Sequence, residues 1–102
     1  MTNDPVKNIL RIDASASVSH SITRRLGDEV MRRLEEAHPG AESTARDISS
    51  GIGFLDESWV QANLTNPDER NGAQRERLTD SDRFVRELDA ADVIVLTAPV
   101  YN

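Results

Sequence analysis

Cysteine is absent from the 102 residues. That excludes disulfides, thiolate metal sites and a cysteine nucleophile, and it favours a cytoplasmic location. No apolar run approaches the roughly 20 residues of a membrane span, so no membrane contact is expected. The N-terminal stretch Met1-Thr2-Asn3-Asp4-Pro5-Val6-Lys7 is polar, without the apolar core of a signal peptide. Basic side chains are in deficit, with 12 Lys and Arg against 18 Asp and Glu, for a net charge of −6. An acidic chain repels phosphodiester backbones, so nucleic acid is not an expected partner. The glycines and lysine of a nucleotide-triphosphate loop are missing. Gly51-Ile52-Gly53 lacks the third glycine and long helix of a dinucleotide fingerprint. Only two histidines occur, His20 and His38, far apart in the sequence. No metal site is expected, and no side chain is assigned as a general acid or base.

What is present alternates strands with helices. Asn8–Asp13 is a short run with β-branched residues and reads as a strand. A loop of small hydroxyls follows, Ala14 to Ser21. Ile22, Leu26, Val30 and Leu34 then recur every fourth residue, with Met31 beside them, and predict an amphipathic helix ended by Pro39-Gly40. Ser19 or Ser21 is suited to cap it. The pairs Arg24–Asp28, Arg25–Glu29, Asp28–Arg32 and Glu29–Arg33 fall at i,i+4 and suggest a solvated charged face. Ala41 to Ile48 is a weaker strand. Asp56 is placed to cap a short helix holding Trp59 and Val60. A second long helix is predicted from about Ala73 to Ala90, with Leu78, Val85 and Leu88 on one face and Ser81 and Phe84 close to it. Val93–Ala98 is apolar throughout, as a strand buried on both faces would be. This order implies an α/β fold with a parallel sheet.

In open parallel sheets, ligands bind beyond the carboxyl ends of the strands. Two such ends are visible. Ser15 to Ser21 precedes a helix N-terminus, where unpaired N–H groups and the dipole attract phosphate. Ser19-His20-Ser21 is therefore a candidate phosphate cradle, or a simple helix cap. The second end is Pro99-Val100-Tyr101-Asn102, either a ligand-facing loop or a turn.

The strand, the S-x-S loop, the amphipathic helix and the distant V-I-V-x-x-A-P-x-Y-N pattern resemble the FMN-dependent NADH-azoreductase family of flavodoxin-like quinone reductases. Leu78-Thr79-Asp80-Ser81-Asp82 adds to the likeness, and Pro99-Val100-Tyr101-Asn102 is its most specific part. The resemblance implies a flavodoxin-like doubly wound parallel sheet, truncated after the third strand. Residues 1–102 would be the N-terminal part of a single FMN-binding domain, with strand order 2-1-3. It places Ser15 against FMN, Ser19, His20 and Ser21 around its phosphate, and Pro99, Val100, Tyr101 and Asn102 along the isoalloxazine ring. His20 departs from the Gln or Arg common at that position. The implied activity of the full-length protein is ping-pong transfer of a hydride from NADH, via FMN, to a quinone or azo compound, in a homodimer. Segment 56–63, with Trp59, is the candidate interface or pocket rim. The competing expectations are a non-catalytic flavodoxin-like electron carrier and an inactive truncated fragment.

Overall fold

A computed structural model describes residues 5–17, 21–49, 51, 53 and 55–99. The elements run β1 (Asn8–Asp13), α1 (Ile22–Ala37), β2 (Glu42–Asp47), α2 (Glu57–Leu64), a 3₁₀ turn (Pro67–Glu69), α3 (Gly72–Ala90) and β3 (Val93–Thr97). They fall into two compact units, Met1–Gly51 with Ala90–Asn102, and Ile52–Asp89.

The first unit is built on a three-stranded sheet of order β2-β1-β3. Both pairings are parallel, with Asn8 opposite Glu42 and Ile9 opposite Val93 at the near end. Ile9 and Leu10 of the central strand are buried. At the amino end Asp92 Oδ2 accepts the N–H groups of Lys7 (2.8 Å) and Asn8 (3.0 Å), tying β1 to β3 across 84–85 residues. These bonds hold the Asp92 pKa below its usual value.

Helix α1 has the predicted extent, and Leu26 and Val30 of its stripe border a cleft against Val95, Leu96 and Ala98. Gly27 and Met31 are the buried residues, whereas Ile22 and Leu26 of the four-residue stripe are 66% and 62% exposed. Gly27 makes the closest approach to the sheet. A Cβ there would lie 2.7 Å from Thr97 Cγ2 and 2.9 Å from Arg11 Nη2, so only glycine lets the helix sit this close to β1 and β3. The charged face also differs from the i,i+4 pattern. Arg33 does pair with Glu29 (3.1 Å), but Arg32 bridges Glu29 and Glu36. Asp28 turns to Arg11 and Arg24 to Asp47. Strand β3 is not buried on both faces: Ile94 and Leu96 are exposed, and only Thr97 is fully buried. Among the described residues, β3 hydrogen-bonds to β1 alone and is an edge strand.

In the second unit Asp56 caps α2, accepting the Trp59 N–H at 3.0 Å. Asn71 and Gln74 exchange side-chain and backbone hydrogen bonds, both 2.9 Å, in a reciprocal box at the start of α3. Leu78 is buried, but Val85 and Leu88 are exposed. The inward positions of α3 are Leu78 with Ser81 and Phe84, as expected, and Arg77 in place of Val85 and Leu88, because α2 binds there. Trp59 Nε1 donates to Ser81 Oγ (2.8 Å), and Arg77 donates to Ser58 (3.1 Å) and Asp56 (3.2 Å). Leu78–Asp82 lies inside α3. No helix is long and apolar enough to cross a membrane among the described residues.

Candidate functional site at the carboxyl edge of the sheet

Register places Asp47, Asp13 and Thr97 side by side where β2, β1 and β3 end. The backbone continues the lacing beyond the strands: Ala14 N–H donates to Thr97 O and Ile48 N–H to Asp13 O, both 2.9 Å. Thr97 Oγ1 donates to Asp13 Oδ1 at 2.6 Å in a buried setting. The loops leaving β1 and β3 therefore start from one fixed pair of residues.

Two carboxylates at this edge would repel an anion if left alone. Each is matched by an arginine. Arg11 lies two residues before Asp13, hence on the same strand face. Its Nη1 donates to Asp28 Oδ1 (2.6 Å) and its Nη2 to the Arg24 carbonyl (3.0 Å). Its Nε sits 2.9 Å from Asp13 Oδ2, an ion pair whose alignment falls short of a hydrogen bond. Burial opposes the Arg11 charge, but Asp28 and then Asp13 outweigh it and keep its pKa above the ordinary value.

Arg24 neutralises Asp47 through a two-pronged contact, Nη1 to Oδ2 and Nη2 to Oδ1, each 2.9 Å. Its Nη2 also donates to the Ser15 carbonyl (2.7 Å) and its Nε to the Ser17 carbonyl (3.1 Å). One guanidinium thus joins α1, the β1–α1 loop and the end of β2. The hydrogen bonds from Arg24, followed by the one from the Ser49 N–H at 2.9 Å, hold the Asp47 pKa well below the usual carboxylate range.

Of the residues expected to bind a ligand, Ser15, Ser21 and Pro99 are described. Ser15 is buried, and its hydroxyl donates to Ser17 O at 3.2 Å. Ser21 is the N-cap of α1: its Oγ accepts the Arg24 N–H (3.2 Å) and shares a hydrogen bond with Thr23 Oγ1 (2.9 Å). Pro99 is half-buried, two residues beyond β3. Ser19, His20, Val100, Tyr101 and Asn102 lie outside the described residues. The first turn of α1 carries no acidic side chain, so the positive end of the helix dipole is not offset there. No cluster of three or more metal-binding side chains occurs among the described residues.

Sequence reasoning missed Arg11, Arg24, Asp47 and Thr97. The Arg11-x-Asp13 spacing on a strand was a usable signal. The partners of Arg24 were not, since Asp47 is 23 residues away.

Three parallel strands flanked by helices, with the β1–α1 loop and the end of β3 at one carboxyl edge, define an open α/β fold. A family model described as having a flavodoxin-like fold matches residues 7–102, and the chain belongs to that family. Among curated relatives, the FMN-dependent NADH:quinone oxidoreductase 1 of Hahella chejuensis is 40% identical over 100 residues, 98% of this chain and 49% of that protein. The FMN-dependent NADH:quinone oxidoreductase of Thiobacillus denitrificans is 47% identical over 94 residues, 92% of this chain and 46% of its own length. The crystal structure of an azoreductase from Bacillus anthracis str. Sterne superposes with a TM-score of 0.79 at 14% identity, over 94% of this chain and 48% of that one. At that identity the superposition speaks for the fold alone. The chain spans about half the length of the relatives it matches.

Proposed function

We propose that the full-length protein is an FMN-dependent oxidoreductase that passes a hydride from NADH, via FMN, to quinones or azo compounds in ping-pong turnover. Residues 1–102 form the N-terminal part of its single flavin-binding domain. The observation that carries this reading is the β1–α1 loop. Ser15 is buried within it, Ser21 caps the helix behind it, and Arg24 pairs with Asp47. This suits one terminal phosphate, and the relatives' FMN-dependent NADH:quinone oxidoreductase activity supports the cofactor, the donor and the quinone acceptor.

When bound, FMN supplies the hydride-accepting and hydride-donating ring. The chain's own residues bind and orient. Ser15 would contact FMN, Ser19, His20 and Ser21 would surround its phosphate, and Pro99, Val100, Tyr101 and Asn102 would line one side of the ring. Asp13 and Thr97 hold the roots of both loops in register. No side chain is assigned to proton transfer. A homodimer is part of this reading, with the exposed Val60 and Leu64 of α2 at or near the interface. Trp59 is the less suited contact, because its indole N–H is engaged by Ser81. A cytoplasmic location and the absence of nucleic-acid partners accord with the missing cysteines and the acidic charge.

The test is direct. The purified full-length protein is denatured, the released chromophore identified, and NADH oxidation followed with a quinone and with an azo dye. Released FMN and oxidation dependent on both substrates are expected. Recovery of FAD, or no NADH oxidation from an FMN-loaded preparation, would overturn the reading.

A further inference from the structure

We infer that Arg24 is a positioning residue for phosphate binding: it shapes the β1–α1 loop without touching the ligand. The inference rests on the flavin reading above.

The geometry separates this role from direct contact. The Arg24 side chain is only 13% exposed. Four hydrogen bonds occupy Nε, Nη1 and Nη2, and all of them go to protein: the carbonyls of Ser15 and Ser17 and both oxygens of Asp47. A planar guanidinium can satisfy two carbonyls and a carboxylate at once, whereas an ammonium cannot span them. The two carbonyls are two residues apart in the loop, so pinning both fixes the path of the chain between them. The same side chain also removes the charge of Asp47 from the approach of an anion. Arg24 sits in the first turn of α1, whose cap Ser21 accepts its N–H at 3.2 Å, and Arg11 Nη2 holds its carbonyl at 3.0 Å. The clamp is therefore anchored at both ends of its own residue.

Without it, the loop must be ordered by the ligand, and that ordering is subtracted from affinity. The cost falls on a ligand that carries a phosphate. Riboflavin, which is FMN without the phosphate, is the control. In the full-length apoprotein, FMN and riboflavin are titrated against flavin fluorescence for wild type, R24Q, R24K and D47N. R24Q is expected to weaken FMN by about tenfold to a hundredfold. Its riboflavin affinity should change less than about threefold, so the FMN-to-riboflavin ratio collapses. R24K is expected to behave like R24Q. D47N, which keeps the two carbonyl contacts and removes a negative charge, should not lower the ratio. At saturating FMN, kcat should stay near the wild-type value. An unchanged ratio in a folded R24Q, equal losses for both flavins, or full rescue by R24K would overturn the inference while leaving the flavin reading intact. If R24Q does not fold, R24K decides alone: a wild-type ratio in a folded R24K overturns the inference. A wild type that binds neither flavin would defeat the flavin reading, and this inference with it.

Discussion

Replacing Gly27 with alanine pits two effects of opposite sign against each other. In a helix interior alanine is favoured over glycine by about 1 kcal/mol. Against that, the new methyl would stand 2.7 Å from Thr97 Cγ2 and 2.9 Å from Arg11 Nη2. Neither neighbour is free to give way. The Thr97 hydroxyl is bound to Asp13 at 2.6 Å, which fixes its rotamer. The Arg11 guanidinium is held by Asp28 at 2.6 Å and by the Arg24 carbonyl at 3.0 Å. Overpacking of this kind costs about 1–3 kcal/mol, and two tethered contacts place it in the upper part of the range. The net expectation for Gly27→Ala is a loss of about 1–2 kcal/mol. In a domain of 150–250 residues that lowers Tm by about 2–8 °C. The assay is thermal or urea unfolding of the full-length protein, as the single variant and in a Thr97→Ser background. Serine keeps the hydroxyl for Asp13 and removes Cγ2, so there the cost should fall to about zero. A neutral or stabilising Gly27→Ala in the wild-type background would refute the reasoning, as would an identical cost in both backgrounds.

Thr97→Val preserves shape but leaves buried Asp13 without its hydroxyl donor, and urea unfolding should register a loss of about 1–3 kcal/mol. The Arg24–Asp47 pair should make stability depend on pH on the acid side. Since Asp47 has its pKa depressed on folding, its contribution is present above the unfolded value of about 3.9 and is lost as pH falls through the lower folded value. Acid titration of stability should therefore be flatter below about pH 4 in Asp47→Asn than in wild type; identical slopes would count against the pair. Residues 1–102 expressed alone leave Leu26 and Leu96 each 62% exposed beside a cleft of about 260 Å³. They should bind an apolar dye and associate, and Leu26→Glu with Leu96→Glu should suppress both; a monomer that does not bind the dye would show the surface to be covered.

Much of the fold could be read from the sequence because it is encoded locally. The β-branched run Asn8–Asp13, the cap and four-residue spacing around α1, Asp56 before α2 and the apolar run Val93–Thr97 each act within one element. Their alternation fixes a parallel α/β sheet. The resemblance carried by the serine loop and Pro99-Val100-Tyr101-Asn102 supplied the strand order. Which helix face turns inward was not legible in the same way. Hydrophobic period alone puts Leu26 and Val30 on the sheet. The structure centres the contact on Gly27 and Met31 and leaves Leu26 and Val30 at its edge beside β3, since close approach to Thr97 and Arg11 depends on a side chain that is absent.

The sequence by itself determined the elements, their order and the hydroxyl-rich loop at the carboxyl edge, because propensity, capping and spacing are properties of neighbouring residues. Tertiary structure alone decided what Arg24 and Arg11 do. Along the helix Arg24 has Asp28 within reach, a pair worth tenths of a kcal/mol in water. Folding instead brings Asp47 and two loop carbonyls to it and gives Asp28 to Arg11. Largely shielded from solvent, a guanidinium that meets several acceptors at once outcompetes a single exposed contact, and that choice exists only once three strands end side by side.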